Sequence, residues 1–207
     1  MIGRPEHPEV PLDPSTMADD PMVEFAAWFS AAQDAEVPQP NAMVLATSHD
    51  NRPSARTVLL KEFDQRGFVF FTNYESRKGR ELDHDAAAAL TFTWLTLHRQ
   101  IRIEGRVTRV ADEESDAYYA TRPRGAQLAA GISRQSEVIA DRRQLEAAFE
   151  AAEEKFAGME IPRPAHWGGY RLRPEVIEFW QGQPDRLHDR VRYRRDDLEW
   201  IKERLSP

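Results

Sequence analysis

Residues 41–73 read NAMVLATSHDNRPSARTVLLKEFDQRGFVFFTN, and their punctuation decides the fold. Three apolar runs, 41–48, 55–63 and 68–73, are separated by HDNRP and DQRG. Both separators are made of residues that favour turns, so the runs read as three strands joined by short turns. Working towards the N-terminus, Asp20-Pro21 reads as a helix N-cap followed by proline in the first helical position. The spacing of Val23, Ala26, Ala27 and residues 29–31 extends that helix to about residue 35, where VPQP ends it.

Working the other way, SRKGRELDHD (76–85) is a loop entering a short helix, with Ser76 as its cap. AAALTFTWL and RQIRIEGRVTRV return to strand. In the latter, Ile101, Ile103 and Val107 share one parity opposite Arg102, Glu104 and Arg106, and Val110 breaks it, which marks a bulge or a strand end. The middle is helical: one helix starts at Asp112, a second follows Pro123, and DRRQLEAAFEAAEEKFAG is amphipathic and ends at Gly158. GGYRLRP, VIEFWQG, RLHDRVRYR and LEWIKERL are again strands. Helices and strands are segregated, which predicts an α+β domain around an antiparallel barrel. A parallel nucleotide-binding sheet is not expected, because the elements do not alternate and no G-x-G-x-x-G follows a strand. Residues 1–19, Pro-rich and unpatterned, read as a mobile arm on a single domain, 20–207.

Composition narrows the chemistry. The 207 residues carry a formal net charge of −7, so broad contact with nucleic acid or an anionic membrane is not expected. No cysteine is present, which removes disulfides, thiolate catalysis and Cys-ligated metals and fits a reducing cytoplasm. There is no signal-peptide pattern and no long apolar run. The histidines have no ligand-like spacing, so no metal site is expected.

Within this acidic chain the basic residues cluster. Arg186, His188, Arg190, Arg192 and Arg194 recur at every second position, which on a strand over 186–194 would place them on one face, opposite Leu187, Asp189, Val191 and Tyr193. Such a face is either solvated charge on an edge strand or an anion site. Arg77 and Lys78 stand at a helix start, where backbone N–H groups already favour a phosphate. Arg56 and Lys61 bracket TVLL, and Arg122 and Arg124 flank Pro123 after Tyr118 and Tyr119. No nucleophile elbow and no H-E-x-x-H is present. Phosphate-suited clusters without a protein nucleophile point to a borrowed cofactor.

PNAMVLAT, RTVLLKEFD, FFTNYESRKGREL, RQIRIEG, RPRGAQ, SRQS, WGGYR, FWQGQPDRLHDR and the terminal RLSP occur in order. In these motifs the chain, from about Asp20 to Pro207, resembles the pyridoxine (pyridoxamine) 5′-phosphate oxidase family, homodimeric FMN enzymes with a split β-barrel fold. The resemblance implies flavin contacts from Arg56, Thr57, Val58, Leu59, Leu60 and Lys61, and from Phe71 and Thr72. Arg77 and Lys78 would hold the FMN phosphate, and Gln100, Gln135, Ser136, Trp180 and Arg190 would complete a flavin site shared between two chains. Lys61, Tyr118 and Arg122 would bind the substrate with Arg186 and His188, the last two at the reacting end as the catalytic pair. The implied reaction oxidises pyridoxine or pyridoxamine 5′-phosphate at C4′ to pyridoxal 5′-phosphate, with a hydride passing to FMN and then O2 reduced to H2O2. Arg192 and Arg194 receive no role from the resemblance.

Three places depart from the family pattern. Ala126 stands where a serine often does, Ala129-Ala130-Gly131 lacks the aromatic of a G-A-W segment, and residues 1–19 lack an R-x-x-Y element. SRQSEVIADR is also similar to the FMN oxidases of phenazine biosynthesis, which act on non-phosphorylated tricyclic substrates. A non-catalytic protein binding FMN or pyridoxal phosphate is the remaining alternative.

Overall fold

A computed structural model describes residues 11–197 and 199–207. Helix α1 covers Pro21–Asp34, followed by strands β1 (Ala42–His49), β2 (Arg52–Leu59), β3 (Glu62–Asp64) and β4 (Gly67–Asn73). Helix α2 (Arg77–His84) leads to β5 (Ala87–Trp94) and β6 (Arg99–Arg109). Helices α3 (Asp112–Ala120), α4 (Arg124–Ile132) and α5 (Arg142–Lys155) precede β7 (Trp167–Gln181), β8 (Asp189–Asp196) and β9 (Glu199–Arg204).

All pairings are antiparallel, in the order β2-β1-β5-β6-β7-β4-β3. The sheet forks at β7. Its first half pairs with β4 through Trp167–Leu172, and its second half pairs with β8 through Val176–Gln181. β2 comes back into contact with β4, so the sheet curls into an open, split barrel of the expected α+β class.

Residues 168–174 and 176–182, expected as two strands, lie in one continuous β7. Pro174 has no N–H to give a ladder, and it sits where the register with β6 slips: Gly105 faces Pro174 while Glu104 faces Val176, leaving Glu175 as the extra residue. The bulge thus falls at Glu104/Gly105, and near Val110 the strand ends, at Arg109. A methyl group on Gly105 would lie 2.0 Å from the Arg173 carbonyl oxygen, so only glycine lets the two backbones approach this closely.

The core lies between α1 and the sheet. Phe25 is fully buried and meets Phe63, Phe68 and Phe92 edge-on at centroid distances of 4.9, 4.8 and 5.3 Å. The buried face of α1 is Met22, Phe25, Trp28 and Ala32. Val23, which marked the helix in the sequence, is half exposed, because the large side chains set the phase and outweigh the small ones. Asp20 caps α1 as expected: one carboxylate oxygen accepts from the Met22 N–H at 2.8 Å, and the other accepts from Gln65 Nε2 at 2.7 Å. Asp20→Ala should cost about 1 kcal/mol, the typical value of an N-cap, read as a lower urea midpoint with an unchanged slope.

Of the expected arm, residues 1–10 lie outside the described residues. Residues 11–19 pack on β8 and β9. Leu12 and Met17 join the core, the Leu12 N–H donates to Asp189 Oδ2 at 3.0 Å, and Tyr193 Oη donates to the Ala18 carbonyl at 2.7 Å.

Candidate active site

The β2–β3 connection, the end of β4, the start of α2 and the α3–α4 helices enclose a cavity of about 600 Å³. Of the residues expected at a flavin or substrate site, Thr57, Val58, Leu59, Lys61, Phe71, Thr72, Lys78, Tyr118, Arg122 and Gln135 line it. Leu60 does not: it points the other way, into the core. The strand pattern breaks after Leu59, and the Lys61 N–H donates to the Val69 carbonyl at 2.9 Å, which turns the Lys61 side chain to the cavity.

Ser76 caps α2 by accepting from the Gly79 N–H at 3.3 Å. That start places Lys78 inward, buried, with Nζ donating to Thr72 Oγ1, Ser76 Oγ and Gln135 Oε1 at 3.2, 3.1 and 3.0 Å. All three acceptors are neutral oxygens. Burial, helped by the nearby Arg56 charge and opposed by Glu81, brings the Lys78 pKa down to about 8. A buried ammonium at a helix N-terminus without a carboxylate on it suits an anionic ligand.

Three rings of the same cavity lining stack. Phe71 and Tyr118 lie 4.1 Å apart, Phe71 and Trp167 5.5 Å, at interplanar angles of 21° and 14°. Arg122 lies over Trp167 at 4.4 Å, and Lys61 stands 5.7 Å from the Tyr118 centroid. Arg122 Nη1 is buried and has no hydrogen-bond partner. Burial pushes the Arg122 pKa down and Tyr118 and Tyr119 oppose it, yet a guanidinium stays charged at any ordinary pH. An unpartnered N–H on a fixed guanidinium beside an open cavity calls for an oxygen ligand. Ala126, Ala129 and Ala130, the positions that depart from the family pattern, all line this same wall.

Arg56 and Arg77 stand beside the cavity but do not line it. Arg56 gives Nη1 to Thr47 Oγ1 and Nη2 to Ser54 Oγ and Glu81. Arg77 gives Nε to Glu81 at 2.8 Å, while its backbone N–H donates to Ser136 Oγ at 3.2 Å. Glu81 was not visible in the sequence as a site residue; its position four residues after Arg77 was the only signal.

Gln100, Trp180, Arg186, His188 and Arg190 form a second group. Gln100 faces Trp180 across β6–β7, and Trp180 faces Arg190 across β7–β8, so the three share one side of the sheet. His188 lies 4.8 Å from the Trp180 ring. The strand expected over 186–194 begins only at Asp189, which is a correction. Pro184–Arg186 form a short 3-10 turn in which Asp185 and Arg186 take φ of 55° and 63°. The alternation holds from Asp189 on, with Asp189, Val191 and Tyr193 buried, but Arg186 and His188 are presented by a loop. The Gln183 N–H donates to His188 Nδ1 at 3.0 Å, which leaves the neutral ring's proton on Nε2. Arg190 is held by Glu178 at 2.7 and 3.1 Å, and Arg192 and Arg194 by Glu203 at 2.6 and 3.1 Å.

One cluster was hidden by sequence distance. His49, Asp50 and His84 bring their ligand-type atoms within 4.8 Å of one another, exposed on the surface.

Two family models cover the chain. Residues 29–156 match the pyridoxamine 5′-phosphate oxidase family, and residues 167–207 match the pyridoxine 5′-phosphate oxidase C-terminal dimerisation region. A protein of Acaryochloris marina named pyridoxine/pyridoxamine 5′-phosphate oxidase is 57% identical over 189 residues, covering 91% of this chain and 86% of its own. One of the same name from Burkholderia lata is 54% identical over 200 residues, covering 95% and 93%. The crystal structure of PhzG from Burkholderia lata, in complex with tetrahydrophenazine-1-carboxylic acid, superposes with a TM-score of 0.90 at 33% identity, covering 96% and 98%. Both halves of the sequence and the fold agree: the chain belongs to the pyridoxine/pyridoxamine 5′-phosphate oxidase family.

Proposed function

We propose that this protein oxidises pyridoxine 5′-phosphate or pyridoxamine 5′-phosphate to pyridoxal 5′-phosphate, with O2 as the final acceptor. The observation that carries the reading is the unpartnered Arg122 Nη1, with Tyr118 and Lys61 in the same cavity wall. Three such groups in one cavity suit a phosphate on the substrate. FMN is the cofactor, and it supplies the two-electron chemistry that no side chain of the cavity provides. Lys78, Thr72 and Gln135, with the start of α2, are its phosphate end in this reading, and Thr57, Val58 and Phe71 its neighbours along the wall.

Gln100, Trp180 and Arg190, with Arg186 and His188, do not line the cavity of their own chain. In this reading they complete the site of a second copy, which gives the C-terminal dimerisation region a part in the chemistry. His188 Nε2–H and the Arg186 guanidinium then orient the substrate and stabilise charge at its reacting carbon. Arg186→Ala should lower kcat about 10- to 50-fold while leaving FMN affinity within about twofold, as expected for a group that acts on the substrate. Equal losses in both would remove the assignment.

PhzG's high structural similarity favours a second reading, an oxidase of a non-phosphorylated tricyclic acid. Two Burkholderia lata proteins bear on the choice: the one named for the B6 vitamers is 54% identical, PhzG 33%. The deciding experiment gives each phosphorylated vitamer to FMN-loaded protein and follows pyridoxal 5′-phosphate and H2O2. Turnover of either supports the proposal. A flavin-loaded protein that turns over neither but oxidises a reduced phenazine carboxylate would replace it.

A further inference from the structure

Glu81 takes no part in the proposed reaction, yet it is among the most heavily engaged buried side chains. It sits inside α2 with its side chain 7% exposed. Its oxygens accept from Thr47 Oγ1 at 2.6 Å and Ser54 Oγ at 2.7 Å, from Arg56 Nη2 at 2.9 Å and from Arg77 Nε at 2.8 Å. Burial alone would raise its pKa; these donors overcome that and hold it down to about 2. A carboxylate this saturated neither gives nor takes a proton near neutral pH. What it does is fix the groups it touches, and two of them are cations at the edge of the cavity.

The charge balance makes the same point. Arg56, Arg77 and Lys78 gather around the start of α2, and Glu81 is the acid ion-paired to both arginines. Without it, Arg77 would lose its Nε acceptor, Arg56 would keep only the neutral oxygens of Thr47, Ser54 and Leu45, and the cations would repel one another without a counter-charge. Lys78 would feel this most. The charged groups that act on it are Arg56 from β2, which disfavours its ammonium, and Glu81 from α2, which favours it. Its contacts Thr72, Ser76 and Gln135 are neutral.

We propose that Glu81 is the positioning residue of the flavin phosphate site: its carboxylate holds Arg56 and Arg77 in place beside Lys78, so that a phosphate meets a preformed cationic cradle. This rests on the FMN reading above. It predicts selectivity that a merely structural acid would not give. FMN and riboflavin differ only in the phosphate, so loss of Glu81 weakens FMN and spares riboflavin.

The test is a fluorescence titration of apoprotein with FMN and with riboflavin across pH 6 to 9.5. In the wild type, FMN affinity falls as Lys78 loses its proton on the alkaline side. In Glu81→Gln, FMN Kd at neutral pH rises at least about tenfold, the scale of one charge-assisted contact. Its alkaline fall moves to lower pH, because the anion that supported the Lys78 ammonium is gone, and riboflavin Kd stays within about twofold. Equal weakening of both flavins, unchanged FMN binding, or a loss without the pH displacement overturns the inference. If Glu81→Gln does not fold, Glu81→Asp keeps the charge and shortens the reach. FMN weakened about threefold or more with riboflavin unchanged supports the role, and any other pattern overturns it. A folded wild type that binds neither flavin overturns both the cofactor assignment and this inference.

Discussion

Arg122→Ala will lower kcat/KM for pyridoxine 5′-phosphate by roughly 100- to 1,000-fold, almost entirely through KM, because truncating one partner of a buried charged contact costs about 3–4 kcal/mol. The guanidinium is already in place before substrate arrives. It lies on the Trp167 ring at 4.4 Å and keeps a buried Nη1–H without an acceptor. The desolvation of that N–H has been incurred in folding, and a phosphate oxygen recovers it on binding. The control is the substrate without its phosphate. If Arg122 grips the phosphate, dephosphorylated pyridoxine should be as poor a substrate for the variant as for the wild type. Equal losses on both substrates would show that the residue only shapes the wall. Arg122→Lys should recover little, since an ammonium has no planar fork to lie on the indole and present two N–H groups. FMN affinity should change far less than substrate KM, because the groups around Lys78 are Thr72, Ser76 and Gln135 and Arg122 is not among them.

Gly105→Ala is expected to destabilise the fold by about 3 kcal/mol, at the upper end of overpacking costs. The added methyl would lie 2.0 Å from the Arg173 carbonyl oxygen, 3.0 Å from its carbon and 3.1 Å from Pro174 Cα. These are backbone atoms inside the longest strand, with no flexible side-chain end to swing away. The bulge also separates the half of β7 that pairs with β4 from the half that pairs with β8. A displaced register would therefore disturb the Gln100–Trp180–Arg190 row as well as the core. A chemical-denaturation midpoint measured without flavin isolates the effect from ligand binding. A shift under about 0.5 kcal/mol, the range of an ordinary surface change, would mean that β6 and β7 can separate at the bulge.

Most of the fold was readable because its punctuation is local. The turns after β1 and before β4, the Asp20 and Ser76 caps, and the parity of Ile101, Ile103 and Val107 each depend on neighbours a few residues away. What was misread depends on partners far along the chain. Pro174 suggested a break, but Gly105, some 70 residues earlier, supplies the bulge that absorbs it. The period-two run from Arg186 suggested a strand, yet Asp185 and Arg186 take left-handed backbone conformations that no side chain there announces. Ordered motifs gave the family, and ten of the residues they implied meet in one cavity. Glu81 escaped notice because three of its four partners, Thr47, Ser54 and Arg56, come from two strands that precede it by 25 to 34 residues.

The Phe71–Tyr118–Trp167 stack has an optical consequence. Indole emission overlaps flavin absorption, so an excited Trp167 in the cavity wall can pass its energy to a flavin held beside it. Trp180, which the proposed reading places in the site of a second copy, would report as well. The native protein therefore carries its own gauge of cofactor occupancy, legible without a label, and Trp167→Phe is the variant that should remove one donor while keeping an aromatic ring in the stack.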